Sequence, residues 1–256
     1  MKDRPAWKQA MESHRLERLE DLFGVSKPVI GMVHLWPLPG SPGYRGYGMN
    51  KIIEEALRDA DALVRGGVDG LIVENMWDLP YYVGNEVRPE AMTAQAVAAH
   101  EVIKRFDRPT GINVIHNGGV VCLSIAVAAG AKFIRVCILT GSRLWDTGEL
   151  DQGCGADLMR KRKELDAEHI KIFADVDKKH SVAFPGLDQA FAVAVASGDL
   201  FYFRVIKQFS DQSRFFAYHY SKNLFPPHRP AAAAPGHAEK KQTENHDMLE
   251  PDFGGD

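Results

Sequence analysis

The sequence predicts an α/β fold of the (β/α)8 TIM-barrel type, incomplete after about five β-α units and followed by a disordered C-terminal tail. Three observations lead to this fold class. Short apolar runs rich in β-branched residues alternate strictly with helical segments, which indicates a parallel sheet. Polar or titratable residues follow these runs, where barrels carry their chemistry. The loop after the first run, PLPGSPGYRGYG, lacks the G-x-G-x-x-G motif of a doubly wound sheet.

Five apolar runs are the predicted strands. They cover residues 28–33, 68–73, 110–115, 132–139 and 170–176. Each run is short and nearly continuous in apolar residues, which is typical of strands that are buried on both faces. The fourth and fifth runs also contain Arg135 and Asp175. Ionisable groups inside strands suit the lumen of a barrel better than the interior of an open sheet, so the barrel is the preferred architecture.

Helical segments precede the first strand and separate the others. We expect Asn50 to cap the helix after the first loop. We expect Gly66 and Gly67 to end it, because glycine accepts the left-handed C-terminal conformation. Pro89 suits the first turn of the next helix, which extends to about residue 106. The remaining predicted helices cover residues 7–22, 120–129, 156–165 and 187–196. Residues 140–155 are predicted to be a loop.

Composition excludes several classes of function. The chain has 256 residues and a net charge of −3, which gives no case for binding nucleic acid or an anionic membrane surface. No apolar run approaches the ~20 residues needed to cross a bilayer. The three cysteines show no C-x-x-C spacing, which favours a reducing compartment. The N-terminus mixes acids with bases, so we expect a cytoplasmic protein, with mitochondrial import as the alternative.

The strand–helix pattern fails after Gly198. The following residues are aromatic and basic without a helical period, and residues 226–256 are polar and of low complexity. Four parts follow from this. Residues 1–26 form a helical extension, 27–198 a partial barrel, 199–225 an irregular segment and 226–256 a disordered tail.

Five ordered blocks carry a resemblance to a known family. The blocks GMVHLWPLPGSP, GGVDGLIVEN, GINVIHN, FIRVCILTG and IFADVDKKH resemble the BtpA family, also called BtpA/SgcQ, over residues 23–196. The resemblance implies a TIM barrel of the ribulose-phosphate-binding type. It also implies a role like photosystem I biogenesis in cyanobacteria, or sugar metabolism in other organisms.

The chain departs from the family pattern at three blocks. The family's N-V-L-R-N-D is NVIHNG at residues 113–118, its F-I-R-V-N is FIRVC at residues 133–137, and its D-V-H-V-K-H is DVDKKH at residues 175–180. The family's later strands are absent after Gly198. This resembles a frameshifted, alternatively spliced or misassembled C-terminus.

Residue parity places five polar side chains on one face of the predicted sheet. Side chains alternate along a strand, and His34, Glu74, Asn113, Arg135 and Asp175 each share a face with inward apolar neighbours. We expect them to converge in the lumen, with Arg135 paired to Glu74 or Asp175. A buried charge without a partner is unfavourable by ~3–5 kcal/mol. The cluster is either a general base held beside a cation or a structural network.

The candidate catalytic residues are Glu74, Asp175, Lys179 and His180. Glu74 and Asp175 lie near strand ends, where barrel catalysis concentrates. Lys179 and His180 are candidates for binding an anion or forming a Schiff base, whereas Lys178 is interpreted as part of a solvated basic loop. A divalent metal site is not favoured, because no H-E-x-x-H or similar spacing is present.

The candidate ligand-binding residues lie at strand ends and in one glycine-containing loop. Thr140 and Arg143 flank Gly141, so this loop has the backbone N–H groups and the guanidinium that a phosphate needs. The full predicted set is His34, Asn75, Asn113, Asn117, Arg135, Thr140 and Arg143.

Three functions are consistent with the sequence. The first is binding of a small anionic or phosphorylated ligand at the C-terminal ends of the strands, with the reaction and cofactor left open. The second is a non-catalytic assembly or stability factor, as the family name implies. The third is an inactive, truncated product. An open five-strand sheet would expose its last edge, so we expect homo-oligomers or cover from residues 200–225.

Overall fold

The computed structural model describes residues 19–175, 178 and 180–184, together with the backbone of residues 200–203. Its strands are β1 (Ile30–His34), β2 (Gly70–Glu74), β3 (Thr110–Asn113), β4 (Phe133–Val136), β5 (Ser142–Trp145), β6 (Leu150–Gln152), β7 (Lys171–Asp175), β8 (Ser181–Ala183) and β9 (Leu200–Phe203). Its helices are α1 (Leu19–Phe23), α2 (Gly48–Arg65), α3 (Pro89–Arg105), α4 (Gly119–Ala129) and α5 (Gly155–Glu164). In this part of the chain, no helix combines the length and apolarity that a membrane span needs.

A parallel sheet organises these elements. Its order is β1-β2-β3-β4-β7-β9, and every neighbouring pair is parallel. The first five of these strands are the five predicted ones, so the α/β class with a parallel sheet is confirmed. Between the described residues no pairing joins β1 to β9, so the sheet is not closed into a barrel there.

Strand β9 lies in the segment that the sequence analysis interprets as irregular. Leu200–Phe203 pairs with Ile172–Asp175 along the edge of β7. These four residues are therefore extended, whereas the sequence pattern predicts an irregular segment. They read LFYF, and aromatic residues favour extended backbone where a strand edge is available for pairing. The predicted helix at residues 187–196 and the rest of the segment up to residue 225 lie outside the described residues.

A second, antiparallel sheet replaces most of the predicted loop at residues 140–155. Strand β5 pairs with β6 on one side and with β8 on the other, and we call these three strands the small sheet. Gly148, with φ of +94°, lies in the turn between β5 and β6, a conformation that glycine adopts without steric cost.

Helix α2 begins earlier than predicted. Tyr47 is its N-cap residue, and Asn50 already lies inside the helix. The N–H of Gly48 donates to the Tyr44 hydroxyl at 3.2 Å, so a tyrosine satisfies the backbone group at the start of this helix. By contrast, Pro89 occupies the first turn of α3, as predicted.

The two faces of the parallel sheet have different cores. On one face, α2, α3 and α4 bury a large aliphatic cluster against the strands. On the other face, a smaller cluster consists of Leu19, Phe23, Ile30, Met32, Ile72, Phe133 and Phe173. Glycine at positions 70 and 111 leaves the space that the rings of Phe23 and Phe133 fill. The described part of the predicted N-terminal helix therefore packs against the face that also carries the polar cluster.

Candidate functional site

Strand register places four polar residues in one row across the sheet. His34 pairs with Glu74, Glu74 with Asn113, and Asn113 with Arg135. Arg135 pairs in turn with Phe173, so Asp175 lies two residues further along β7. Because registered partners in a parallel sheet point to the same face, these side chains meet at the carboxyl ends of the strands.

Arg135 connects the two buried carboxylates. Its Nε donates to Asp175 Oδ1 at 3.1 Å and its Nη2 to Asp175 Oδ2 at 2.7 Å. Its Nη1 reaches Glu74 Oε2 at 3.4 Å. The side chains of Arg135 and Glu74 are 4% exposed and that of Asp175 is fully buried. The ion pair expected from residue parity is therefore present, and Arg135 pairs with both acids.

Glu74 has two further polar neighbours. Its Oε2 accepts a hydrogen bond of 2.6 Å from Asn113 Nδ2, and its Oε1 lies 3.9 Å from His34 Nε2. Asn113 Oδ1 is buried and has no hydrogen-bond partner within the described part of the chain. An orphaned buried acceptor is uncommon, because its lost hydration is unfavourable by ~1–3 kcal/mol.

Lys178 joins the cluster from the segment after β7. Its Nζ lies 3.5 Å from Asp175 Oδ2 and 5.9 Å from the centre of the Trp145 ring. The residue is only 8% exposed, so its interpretation as part of a solvated loop was wrong. The sequence alone does not indicate that Trp145, on β5, lies beside Lys178. Lys179 lies outside the described residues.

His180 is not brought to the buried carboxylates by its described contacts. Its Nδ1 lies 2.9 Å from Asp146 Oδ2, and both side chains are more than half exposed. The backbone O of His180 accepts a hydrogen bond from Asp146 N, beside the small sheet. The described contacts of the His180 side chain are therefore with Asp146 at the surface, and they include neither Glu74 nor Asp175.

Asn75 and Asn117 hold backbone segments together. Asn75 Oδ1 accepts from Ile115 N at 2.8 Å, and its Nδ2 donates to the Ile115 carbonyl at 3.4 Å. Asn117 Oδ1 accepts from Ile138 N at 2.7 Å, and its Nδ2 donates to the Gln152 carbonyl at 3.0 Å. Both amides are therefore used to join the segments that follow neighbouring strands.

Arg143 also faces protein groups. Its Nε donates to Ser181 Oγ at 2.7 Å, and its Nη2 lies 3.2 Å from the Ser181 carbonyl and 3.3 Å from the Lys178 carbonyl. The residue is 8% exposed and holds β5 to β8 and to Lys178. Thr140 is half-buried and precedes β5. These contacts fit a framework role for Arg143 better than the predicted capture of a phosphate.

His116 is a member of the site that sequence reasoning missed. Its ring stacks on Trp145 with centroids 4.2 Å apart and planes 7° apart, and Tyr81 lies 4.8 Å away on a tilt. Burial lowers the pKa of His116, and Lys178 adds to this effect, while Glu149 and Asp146 oppose it. Its Nδ1 is buried without a partner among the described residues. The only sequence signal for this residue was that His116 stands where the family pattern N-V-L-R-N-D has arginine.

A cavity of about 220 Å³ lies beside this cluster, between the segments that follow β1, β2 and β3. Its apolar and aromatic wall includes Pro42, Pro80, Tyr81, Tyr82, Val87 and Ile115. Asn75 and Asp78 are among its polar lining residues. Tyr81 connects the two regions, because its ring contacts His116. Burial is the largest cause that raises the pKa of Tyr81, and the negative charges of Glu74 and Asp78 raise this pKa further. Of the predicted site residues that the structure describes, only Asn75 is on the cavity wall.

These features define a parallel α/β protein with a buried, charge-paired polar cluster at the carboxyl ends of its strands. The chain belongs to the BtpA family, since the family profile matches residues 25–198. This confirms the resemblance drawn from the five sequence blocks.

Relatives come from archaea, a cyanobacterium and an animal. An uncharacterised protein of Pyrococcus abyssi is 42% identical over 68% of this chain and 65% of its own length. The photosystem I biogenesis protein BtpA of Synechocystis is 40% identical over 69% of this chain and 61% of its own length. An uncharacterised mitochondrial protein of Caenorhabditis elegans is 37% identical over 62% of this chain and 59% of its own length. The chain therefore matches less than two thirds of the length of each of these relatives.

Proposed function

We propose that this protein binds a small anionic or phosphorylated molecule at the carboxyl ends of its parallel strands. The observation that carries the proposal is the position of Lys178, a buried ammonium group 3.5 Å from Asp175 at that edge of the sheet. An ammonium group has three N–H donors. Among the described residues, Asp175 is the ion-pair partner of Nζ, so donors of this group can reach phosphate oxygens.

The charge balance of the cluster does not oppose an anionic ligand. Two buried cations, Arg135 and Lys178, stand against the two carboxylates of Glu74 and Asp175. The carboxylates are therefore neutralised within the cluster, and a phosphate would meet no uncompensated negative charge there. The unpaired Asn113 Oδ1 would accept a hydrogen bond from a ligand hydroxyl group.

Glu74 is the proposed general base, and Asp175 the residue that positions Arg135. Glu74 keeps one oxygen, Oε1, directed towards His34 rather than towards Arg135, so this oxygen is the one positioned to accept a proton. Lys179 and His180 remain proposed catalytic residues on sequence grounds. The predicted roles of His34, Thr140 and Asn117 in ligand binding also remain proposals.

The complete family fold is proposed to be a (β/α)8 barrel of the ribulose-phosphate-binding type. The parallel order of the sheet and the polar row at the carboxyl ends of its strands support this architecture. The domain boundaries at residues 26, 198 and 225 belong to the same proposal. Limited proteolysis followed by mass spectrometry tests them, and cleavage within residues 30–175 before cleavage after residue 225 would contradict them.

Titration calorimetry with a pentose phosphate, the unphosphorylated pentose and inorganic phosphate tests the proposed ligand class. We expect the pentose phosphate to bind and the unphosphorylated sugar to bind at least tenfold more weakly. Lys178→Met should weaken binding of the pentose phosphate at least tenfold. Lys132→Met is the matched control, because it removes the same charge from an exposed residue just before β4. Equal affinity of the two variants, or no binding of either phosphate to the wild type, would contradict the proposal.

The second candidate is a non-catalytic assembly or stability factor, in keeping with the name of the Synechocystis relative, a photosystem I biogenesis protein. It is supported by an exposed aliphatic row on the small sheet, where Leu144 pairs with Leu150 and with Val182. These three side chains are 42%, 50% and 62% exposed. Exposed aliphatic residues in a row are typical of contact surfaces.

Complementation separates this candidate from the first. If the assembly role holds, the chain should restore photosystem I content in Synechocystis cells that lack their own BtpA. The double variant Leu144→Ser with Val182→Ser should fail to do so, while Lys178→Met should succeed. Restoration by the serine variant and not by Lys178→Met would favour the ligand-binding function instead.

Cytoplasmic localisation is proposed, with mitochondria as the alternative that the name of the worm relative supports. Fractionation of cells that produce the chain with a C-terminal tag tests this. Recovery with a mitochondrial matrix marker would overturn the cytoplasmic proposal.

A further inference from the structure

We propose that the cavity beside the polar cluster binds a small organic ammonium group. This site differs from the proposed anion site in its charge, and Lys178, Arg135, Glu74 and Asp175 do not line it. It lies between the segments after β1, β2 and β3, and its volume of about 220 Å³ is below the range of pockets for drug-sized ligands. The expected ligand, or the part of it bound here, is therefore small.

Asp78 supplies the charge that a cation needs. Its Oδ1 accepts a hydrogen bond of 2.7 Å from the Leu38 N–H, and the side chain of Asn75 is its other hydrogen-bonding neighbour. Both partners are neutral, and no cation forms an ion pair with Asp78 anywhere in the described part of the chain. The residue is 9% exposed, and burial raises the pKa of its carboxyl group. A buried carboxylate without a counter-charge is unfavourable, so a bound cation would stabilise it.

The walls favour an organic cation over a metal ion. Tyr81 and Tyr82 line the cavity together with apolar residues such as Pro80 and Ile115. Aromatic faces attract desolvated ammonium groups, whereas Ca²⁺ and Mg²⁺ need many oxygen ligands that this wall does not provide. The guanidinium of Arg88 lies 5.2 Å from the centre of the Tyr82 ring, so this ring already interacts with a cation of the chain itself.

The rim of the cavity adds negative charge. Gly40 lines the cavity, and Glu90 Oε1 lies 2.8 Å from the place where a β-carbon on Gly40 would stand. Among the described residues that line the cavity, none is basic. A cation approaching the cavity therefore meets the carboxylates of Glu90 near its rim and Asp78 in its wall, together with the guanidinium of Arg88 on the Tyr82 ring.

Choline and its uncharged isostere 3,3-dimethylbutan-1-ol are the probes for this site. The two have the same shape, so any difference in affinity reports the charge. We expect titration calorimetry on the full chain to show binding of choline, and at least tenfold weaker binding of the alcohol. Equal affinity of the two probes, or no binding of choline, would overturn the proposal.

Two variants and a control assign the effect to this cavity. Asp78→Asn keeps an acceptor for the Leu38 N–H and should weaken choline binding at least tenfold while leaving the alcohol unchanged. Asp69→Asn is the matched control, because Asp69 Oδ2 also accepts a backbone N–H, from Val29 at 2.7 Å, but does not line the cavity.

If Asp78→Asn fails to fold, Tyr82→Leu serves in its place and should lower choline affinity severalfold. Choline affinity equal to that of the wild type in a folded cavity variant would refute the assignment. Binding of the pentose phosphate should be unchanged in Asp78→Asn, which keeps the two sites distinguishable.

Discussion

Arg135 and Asp175 form two hydrogen bonds from β4 to β7, with Nε–Oδ1 at 3.1 Å and Nη2–Oδ2 at 2.7 Å. Such forked geometry is the strongest that a guanidinium and a carboxylate adopt. Asp175 lies two residues further along its strand than Phe173, the registered partner of Arg135. The Arg135 side chain therefore extends towards the carboxyl ends of the strands, where it also reaches Glu74.

Replacing Arg135 tests how much this network contributes to stability. Arg135→Met should lower the free energy of unfolding by ~3–5 kcal/mol, because it leaves the two buried carboxylates with one cation, Lys178, which lies beside Asp175. Arg65→Met is the control: Arg65 forms an exposed i,i+4 pair with Asp61, and its loss should have an effect below ~1 kcal/mol. Denaturant unfolding of both variants checks the prediction. A loss below ~1 kcal/mol for Arg135→Met would show that water or rearrangement compensates for the missing guanidinium.

A glycine on the same face of β3 tests the packing below the polar row. A β-carbon at Gly111 would collide with the ring of Phe133, which is fully buried. Gly111→Ala should therefore lower the free energy of unfolding by ~1–3 kcal/mol, as overpacked cores do. Adding Phe133→Leu should recover part of that loss relative to Phe133→Leu alone. Additive losses in the double variant, measured by denaturant unfolding, would mean that the two positions do not compete for space.

Strand alternation was sufficient to predict the polar row. The two-residue period fixed which side chains of each strand share a face, and Glu74, Asn113 and Arg135 follow directly from it. The alternation of side chains within one strand does not determine how far neighbouring strands are shifted relative to each other. The detailed pattern, with Arg135 between Glu74 and Asp175 rather than beside one of them, therefore required the register.

The rest of the site depends on contacts distant in sequence. Trp145, His116 and Lys178 come from three segments, and the small sheet brings them together. Its strands have only three or four residues, too few to show a reliable period in the sequence. For the same reason, the sequence did not show that the amide groups of Asn117 bond to the backbone of two other segments.

Trp145 allows the contribution of the small sheet to be measured. Its Nε1 donates to Asp151 Oδ2 at 2.9 Å, and Asp151 is 3% exposed, with a pKa that burial raises and this hydrogen bond lowers. Trp145→Phe leaves that carboxylate without the indole donor and should lower the free energy of unfolding by ~1–3 kcal/mol. Trp77→Phe is the matched control, because Trp77 is 50% exposed and its replacement should have an effect within ~0.5 kcal/mol. Equal effects of the two replacements would indicate that the small sheet contributes little to stability.

His116 makes the pH dependence of stability a test of the same contacts. Five neighbours act on its ring: Tyr81 and Trp145 by stacking, Lys178 by repulsion of a proton, and Glu149 with Asp146 by attraction. Burial is the largest effect, so the pKa of His116 in the folded protein is lower than its ordinary value of 6.5. Below pH 6.5 the unfolded chain therefore binds a proton at this position more readily than the folded chain does.

The sign of the effect follows from that difference. The contribution of neutral His116 to stability is fully present above pH 6.5 and is lost as the pH falls from 6.5 through the lower pKa of the folded state. His116→Phe keeps an aromatic ring against Trp145 but cannot titrate, so its free energy of unfolding should fall less than that of the wild type between pH 7.5 and 5.5. His169→Gln, which removes an exposed histidine, should keep the wild-type dependence. Denaturant unfolding at several pH values measures this. Parallel pH profiles for the wild type and His116→Phe would contradict this prediction, because they would show that the buried ring accepts a proton as easily as an exposed one. The proximity of Lys178 opposes protonation of the ring, and its buried Nδ1 has no hydrogen-bond partner among the described residues.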